Sequence, residues 1–282
     1  AWIASELAAM GLEPAGSVPG TAGIEGYLAR WDLPSSFSPP WEDSLARRPP
    51  NVAAVLPGSD PGVAGEYVVV TAHFDHVGVG SGDEGGDSIY NGADDNASGT
   101  AVLLEVAEAL AALPAAPRRS VLFLAVSGEE LGLLGSEHYL ESPTVPVADM
   151  VANINLDMVS RGGADAVWVV GYGLSTLGLL AEAVAEQVPA LGLDAISDQY
   201  LGVEIISRSD HFPFMLARVP ATGLFGGFHP DYHTPADEWD QINPEKAARV
   251  AWLATYLVAT VAMLEDAPHW TTLGEAVFAP YW

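Results

Sequence analysis

Side chains that commonly bind divalent metal ions recur in five short segments of this sequence. They are His73 in AHFD, Asp95 in GADDNASG, Glu129 and Glu130 in SGEE, Asp157 in NINLD, and His233 in YHT. A single histidine or carboxylate is usually solvated or satisfied by a neighbour, so no segment is informative alone. Together they supply the imidazoles and carboxylates that hold two zinc ions about 3.5–4 Å apart in hydrolases. The set therefore predicts a site for two zinc ions that activates water.

The types and positions of these residues also suggest separate roles. Two zinc ions at this distance need a shared carboxylate, and Asp95 is the natural bridge. The water still needs a base to take its proton, and of the adjacent Glu129 and Glu130 one can bind metal while the other accepts that proton. Asp75, two residues after His73, is placed to accept the second imidazole N–H and to fix the tautomer.

The composition limits the classes of function. The formal net charge is −27, from 37 acidic and 10 basic residues, which argues against binding to nucleic acid or to anionic membranes. The sequence has no cysteine, so metal ions must be held by histidine and carboxylate rather than by thiolate. The longest uncharged apolar run, residues 250–264, is shorter than the roughly 20 residues that span a bilayer.

Apolar runs alternate with segments of helical character along the chain. Buried strands are predicted over residues 52–56, 67–72, 120–126, 151–156, 167–170 and 219–224. Helices are predicted over residues 3–10, 99–113, 130–140, 174–188, 210–216 and 244–264, and the Pro-rich stretch 34–50 predicts a surface loop. This alternation predicts an α/β fold, a three-layer α/β/α sandwich with helices on both faces of a mostly parallel sheet.

The predicted sheet explains why the candidate ligands come together. In open α/β sheets, ligands bind outside the carboxyl ends of the strands, and His73, Glu129 and Asp157 lie at or just after such ends. With no internal repeat and no break in composition, we expect a single domain. Residues 1–50 would form a lead-in, 51–265 the catalytic core and 266–282 a tail.

Six motifs of the chain resemble those of the bacterial secreted di-zinc aminopeptidases, in peptidase family twenty-eight of the metallopeptidases. The motifs are HFD at 73–75, GADDNASG at 92–99, SGEE at 127–130, NLDM at 155–158, RSDH at 208–211 and YHTPAD at 232–237. The resemblance spans roughly residues 50 to 265 and implies the fold already predicted. No protease-associated insert, which many relatives carry, is expected before His73.

The resemblance also implies roles for single residues. His73 and Asp157 would hold one zinc ion, Glu130 and His233 the other, and Asp95 both, with the Asp95–Asn96 peptide bond in the cis form. Glu129 would be the general base, and Tyr232 would donate a hydrogen bond to the oxyanion. Asp75 and Asp210 would support the ligands, and Met158 and Arg208 would lie near the substrate pocket. We expect an enzyme that removes apolar N-terminal residues from peptide substrates, as an extracellular or periplasmic monomer.

Other interpretations of the sequence stay open. The same scaffold also carries dipeptidases, carboxypeptidases, amide hydrolases, glutaminyl cyclases with one zinc ion, and binding modules that have lost the ligands. The acidic loop Asp83, Glu84 and Asp87 could bind calcium, but it lacks the spacing of an EF-hand. The remaining histidines outside the RSDH motif, His76, His138, His229 and His269, are interpreted as structural or exposed.

Overall fold

A mixed nine-stranded sheet forms the centre of the computed structural model, which describes residues 1–35, 47–80, 82, 85–197 and 203–282. The strands are β1 (Glu13–Pro14), β2 (Leu28–Arg30), β3 (Pro50–Leu56), β4 (Tyr67–His73), β5 (Gly78–Val79), β6 (Ile89–Tyr90), β7 (Ser120–Val126), β8 (Met150–Asp157), β9 (Ala166–Val170), β10 (Asp194–Ser197) and β11 (Ala221–Phe225). The strand order is β1-β3-β7-β4-β8-β11-β9-β10, with β2 also paired to β3 and with β5 and β6 forming a separate ribbon.

The four central strands β7, β4, β8 and β11 are parallel, and antiparallel pairs join them to the outer strands. The centre is therefore buried on both faces, as expected for parallel strands between helices. All seven residues of β7 are buried, and Val68, Val69 and Val70 of β4 have no exposed surface. The carboxyl ends of β4, β7 and β8 consequently meet at one edge of a rigid core.

Helices cover both faces of the sheet. They are α1 (Trp2–Ala9), α2 (Gly99–Ala111), α3 (Leu134–Glu141), α4 (Thr176–Gln187), α5 (Val203–Ile206), α6 (His211–Leu216), α7 (Pro244–Met263) and α8 (Thr272–Phe278). One face packs against α1, α2, α4 and α7, and the other against α3, α5, α6 and α8. The predicted three-layer α/β/α arrangement is thus confirmed. In the described part of the chain, no helix has the length and apolar character needed to cross a membrane.

The predicted strands are all present, with ends that differ by at most two residues. The helix predicted from Glu130 begins instead at Leu134, because Gly132 and Leu133 have φ angles of 97° and 62°, outside the helical region. Short strands at the sheet edges and α8, which lies in the predicted tail, were not expected from the sequence. Within the predicted loop 34–50, residues 36–46 lie outside the described residues, and β3 begins at Pro50.

Candidate metal centre

The candidate ligands lie at the carboxyl edge of the central strands. His73 is the last residue of β4 and Asp157 the last residue of β8, while Glu129 and Glu130 follow β7. Asp95 lies in the turn that precedes α2. Four separate connections of the sheet therefore bring these side chains to one place, as the sequence predicts from the fold.

The first group of side chains surrounds His73, which is 1% exposed. Its Nε2 lies 3.3 Å from Asp95 Oδ1 and 3.4 Å from Asp157 Oδ1. Glu129 is farther away, with Oε2 4.0 Å from the same nitrogen. His73, Asp157 and one oxygen of Asp95 thus form a compact set of ligand atoms, and Glu129 lies at its edge, with a carboxylate oxygen within 4.8 Å of the ligand atoms of His73 and Asp157.

The second group surrounds the carboxylate of Glu130. His233 Nε2 lies 3.1 Å from Glu130 Oε2 and 3.1 Å from Asp95 Oδ2. Asp95 therefore directs Oδ1 to the first group and Oδ2 to the second, which is the geometry of a bridging carboxylate. The Asp95–Asn96 peptide bond is cis, as expected.

The spacing of the ligand atoms fits bound zinc. Nitrogen and oxygen ligands about 2 Å from a tetrahedral zinc ion lie about 3.3 Å from each other. The distances from His73 and His233 to Asp95, Asp157 and Glu130 range from 3.1 to 3.4 Å. Among the described residues, Glu130 Oε1, Asp157 Oδ1 and His233 Nε2 are also buried without a hydrogen-bond partner. A buried polar atom of this kind needs a partner, which a metal ion would supply.

The second group includes a residue that the sequence interpretation left aside. His76 Nδ1 lies 2.9 Å from Glu130 Oε1 and 3.8 Å from Asp95 Oδ2, and the His76 and His233 rings meet edge to face. The interpretation of His76 as merely structural or exposed therefore needs correction, since its imidazole belongs to this cluster. His138 contacts Trp31 and Glu141, and His229 contacts Asp94, so these two lie outside both groups.

Asp95 is held by the residues that follow it in the GADDNASG segment. Asn96 accepts hydrogen bonds from the N–H groups of Gly99 and Met158, and its amide donates to the carbonyl of Leu156. A Cβ at Gly99 would collide with this amide oxygen and with the Leu156 backbone, so glycine permits the close packing. These contacts attach the bridging carboxylate to the end of β8, which carries Asp157.

Asp237 supports the same turn from the opposite side, a role that sequence reasoning missed. Its carboxylate is fully buried and accepts the N–H groups of Asp94, at 3.1 and 3.2 Å, and of Asp95, at 3.0 Å. Asp237 lies four residues after His233 in the YHTPAD segment. The hydrogen bonds therefore fix the loop that carries one ligand against the turn that carries the bridge.

The carboxylate of Asp75 has a different contact from the predicted one. His73 Nδ1 lies 3.2 Å from the backbone carbonyl of Asp75 and 3.8 Å from its carboxylate, so the carbonyl is the closer acceptor. The carboxylate instead accepts the backbone N–H groups of Glu129 and Glu130, at 3.2 and 3.3 Å. Asp75 thus orients the SGEE segment rather than the imidazole alone.

Burial and mutual repulsion dominate the electrostatics of the acidic side chains. Burial, together with the neighbouring carboxylates of Asp210, Asp157 and Glu130, raises the pKa of Glu129 to about 10 in the absence of a cation. Burial also raises the pKa of Asp210 to about 7, and this carboxylate accepts a 2.6 Å hydrogen bond from Ser136. Positive charge therefore stabilises the ionised carboxylates of the cluster, and bound divalent cations would supply that charge.

Tyr232 and Arg208 meet beside the second group. The Tyr232 ring stacks on His233 with centroids 3.8 Å apart. Burial and the negative charges of Asp95 and Glu130 raise the pKa of Tyr232 to about 12, although Arg208 hydrogen-bonds it and acts in the other direction. The phenol therefore keeps its proton at neutral pH and can donate a hydrogen bond.

A small cleft of about 50 Å³ opens next to Asp95, Glu129 and Asp157. Its other lining residues are mostly apolar and include Met158, Val170, Ile205, Leu224, Phe225 and Phe228, with Arg208, His211 and Tyr232. A second cleft of about 320 Å³ shares part of this wall and continues to Trp168. An apolar side chain can thus lie here with its backbone at the carboxylates. Met158 and Arg208, which the resemblance places near the substrate pocket, both line the first cleft.

The calcium prediction finds no geometric support in the part of the chain that the structure describes. Asp83 and Glu84 lie outside the described residues, and Asp87 accepts the N–H of Ile89 at 3.0 Å. Both groups of potential metal ligands found among the described residues belong to the centre at the sheet edge.

Comparisons with known proteins agree with the geometry. Residues 51–258 match the sequence model of Peptidase family M28. Aminopeptidase YwaD of Bacillus subtilis is 31% identical over 211 residues, which are 72% of this chain and 43% of that protein. BSAP, a zinc aminopeptidase from Bacillus subtilis of known structure, has a TM-score of 0.62 and 29% identity, covering 78% of this chain and 51% of that chain.

The fold also resembles that of an enzyme with a different activity. The glutaminyl cyclase of Porphyromonas gingivalis has a TM-score of 0.68 at 18% identity, covering 92% of this chain and 88% of that chain. At this identity the likeness concerns the fold alone. The chain spans less than half the length of YwaD and about half of BSAP.

Proposed function

Because the chain belongs to peptidase family M28, as its motifs predict, we propose that it is an aminopeptidase that uses two zinc ions to cleave the N-terminal peptide bond. The main support for the proposal is that the two oxygens of the Asp95 carboxylate face different groups of ligands. Its oxygens lie 3.3 Å from His73 and 3.1 Å from His233, one on each side of the centre. A carboxylate in this position can reduce the repulsion between two divalent cations at the separation found in two-metal hydrolases.

The proposed chemistry assigns separate tasks to the side chains. The zinc ions, when bound, would acidify a water molecule and polarise the scissile carbonyl. Glu129 lies 4.0 Å from His73 Nε2, farther than the carboxylates of Asp95 and Asp157, so of the nearby acids we assign it to take the proton of the attacking water. It then passes that proton to the leaving amine. Tyr232, which keeps its own proton, donates a hydrogen bond to the oxygen that becomes negatively charged.

The cleft favours the N-terminus of a peptide over its C-terminus. Glu129 and Asp157 line it, and carboxylates attract the ammonium group of an N-terminal residue and repel a C-terminal carboxylate. Arg208, the cation in the same wall, lies over the Phe228 ring and hydrogen-bonds Tyr232. The apolar lining that continues to Trp168 supports a preference for apolar N-terminal side chains.

A panel of aminoacyl anilides, with matched N-acetylated anilides, tests the end of the substrate that is recognised. Free apolar aminoacyl anilides should be hydrolysed, and the acetylated compounds should not be. Cleavage of only the blocked compounds would instead favour an amide hydrolase. Cyclisation of N-terminal glutamine, with one zinc ion per chain, would favour glutaminyl cyclase chemistry.

The adjacent acids test the roles at the centre. Glu129→Gln should keep both zinc ions and lose about 10²–10⁴-fold in kcat, because only the proton transfer is removed. Glu130→Gln should lower zinc content, since an amide is a poorer zinc ligand than a carboxylate. The opposite pattern of zinc loss would exchange the two roles. Elemental analysis and kcat are measured on both variants prepared in parallel.

We also propose that the enzyme works as a monomer outside the cytoplasm, in the periplasm or medium. The net charge of −27 supports this proposal because it keeps a chain soluble and dispersed in salt. Light scattering in buffer of physiological ionic strength tests the oligomeric state. Fractionation of cells that express the full-length protein tests the location, and activity confined to the cytoplasm would contradict it.

A further inference from the structure

A third imidazole lies among the side chains that surround Glu130. We infer that His76 is a direct ligand of the zinc ion held by Glu130 and His233, an inference that rests on the proposed two-zinc function. The ion would then have four protein ligands: His76, Asp95, Glu130 and His233. The other ion would have three, from His73, Asp157 and the shared Asp95.

The position of the His76 ring fits this role. Its Nδ1 lies 2.9 Å from Glu130 Oε1 and 3.8 Å from Asp95 Oδ2. These distances bracket the separation of about 3.3 Å between neighbouring ligands of a tetrahedral zinc ion. The ligand atoms of the four residues all lie within 4.8 Å of one another. No backbone movement is therefore needed to bring them around one ion.

The burial of the imidazole gives independent support. The His76 side chain is 8% exposed, and neither ring nitrogen has a hydrogen-bond partner among the described residues. Apart from the contacts of Nδ1 with the carboxylates of Glu130 and Asp95, the buried ring lacks polar partners among the described residues, which costs free energy that a bond to a metal ion would offset. His229 has two buried ring nitrogens without partners as well, but its nearest carboxylate is Asp94, which belongs to neither group.

The backbone at Gly92 leaves room for this ring. Gly92 has a φ of 63°, and a Cβ at this position would lie 2.6 Å from Cγ of His76. Any larger residue would displace the imidazole from the carboxylate of Glu130. The GADDNASG segment thus provides the bridge and also the space in which a further ligand fits.

The inference makes the two metal positions unequal. A zinc ion with four protein ligands would be held more firmly than one with three, although zinc can take a fifth ligand during catalysis. The ion with three protein ligands would be held by His73, Asp157 and Asp95, next to Glu129, where the base is needed. The ion at His76 should consequently bind more tightly and leave last on dialysis.

His76→Ala and His76→Gln test the inference, with His269→Ala as the control. The His269 residue is exposed, and its backbone, not its imidazole, makes the hydrogen bonds with Thr176. Purified wild type and variants are stripped with chelator, and the melting temperature of each metal-free protein is recorded to confirm folding. Zinc is then titrated against a competing chromophoric chelator, and X-ray absorption of the zinc-loaded proteins counts the imidazoles per ion.

The wild type should bind two ions with three imidazoles shared between them. Both His76 variants should bind one of the two ions more than about 100-fold more weakly and should show two imidazoles in total, since loss of a ligand exceeds the 10–100-fold effect of outer-shell partners. His269→Ala should match the wild type.

Unchanged zinc affinities and imidazole counts in His76→Ala would overturn the inference while leaving two zinc ions in place. Recovery of affinity in His76→Gln, but not in His76→Ala, would also overturn it, because His76 would then act by hydrogen bonding to Glu130. Binding of a single ion by the wild type would instead contradict the proposed two-zinc function. In that case the same titration of His76→Ala still decides whether His76 holds the ion that is present.

Discussion

The strongest prediction about the supports of the metal centre concerns Asp237→Asn. The substitution keeps the size of the side chain, so packing around this fully buried residue should persist. What changes is the number of acceptors that face the N–H groups of Asp94 and Asp95. Oδ2 accepts from both N–H groups and Oδ1 accepts from Asp94 as well, whereas an amide offers one oxygen and places its NH₂ group at the other of these positions.

The expected cost follows from these contacts. In either orientation of the amide an NH₂ group faces a buried N–H donor, which costs about 1–3 kcal/mol, and the remaining hydrogen bonds lose their charge assistance, which costs about 1 kcal/mol more. We therefore expect the free energy of unfolding of the metal-free protein to fall by about 2–4 kcal/mol. Because the hydrogen bonds also join the Asp95 turn to the His233 loop, zinc affinity should fall by about 10–100-fold.

Urea unfolding of the metal-free protein, followed by circular dichroism, measures the first quantity, and competition with a zinc indicator measures the second. The control is Asp240→Asn, which removes the same charge from an exposed residue of the same loop. If Asp237→Asn and Asp240→Asn have equal unfolding free energies and equal zinc affinities, Asp237 does not join the two segments. A loss of stability without any loss of zinc affinity would restrict its role to folding.

Four further outcomes are expected. Asp95→Ala should lose both zinc ions together, which elemental analysis would detect, and full retention of both would contradict the bridge. Chelation of the wild type should lower its melting temperature, because ions that bind the native state preferentially stabilise it, and an unchanged value after verified metal loss would contradict this. Tyr232→Phe should lower kcat by about 10²–10³-fold with little change in KM, and an unchanged kcat would remove its proposed role. Leu124→Ala, in the fully buried centre of β7, should cost about 2–5 kcal/mol in urea unfolding, and a loss below 1 kcal/mol would mean that the core collapses around the missing atoms.

The sequence predicted the centre of the fold well for a physical reason. Strands β4, β7 and β8 are buried on both faces, so each is a mostly apolar run, interrupted in β8 by Asn153 and Asn155, that ends where the chain leaves the sheet. Those ends also carry His73, Asp157 and the SGEE segment. The edge strands β1 and β2 have two and three residues, and such short segments leave no periodic pattern.

The supports of the site were harder to predict because they depend on how distant loops meet. His76 follows β4 in a segment with no regular pattern, so the sequence alone does not show which way its ring points. Its place beside Glu130 depends on the space left by Gly92. Asp237 lies in a motif that was noted, but its partners are backbone N–H groups in a turn more than 100 residues earlier. Backbone donors carry no sequence signature.

The distance along the chain between Asp94 and Asp237, 143 residues, has a consequence for biosynthesis. At about 5–20 residues per second, a ribosome needs about 7–30 seconds to make the segment between them. The ligands from His73 to Asp157 are translated before or during that interval. His233 and the Asp237 carboxylate that anchors its loop are translated only at its end. The set of ligands therefore becomes complete only when the YHTPAD segment has been translated. A chain truncated before residue 233 contains only part of the centre, so both ions can be loaded only after that point.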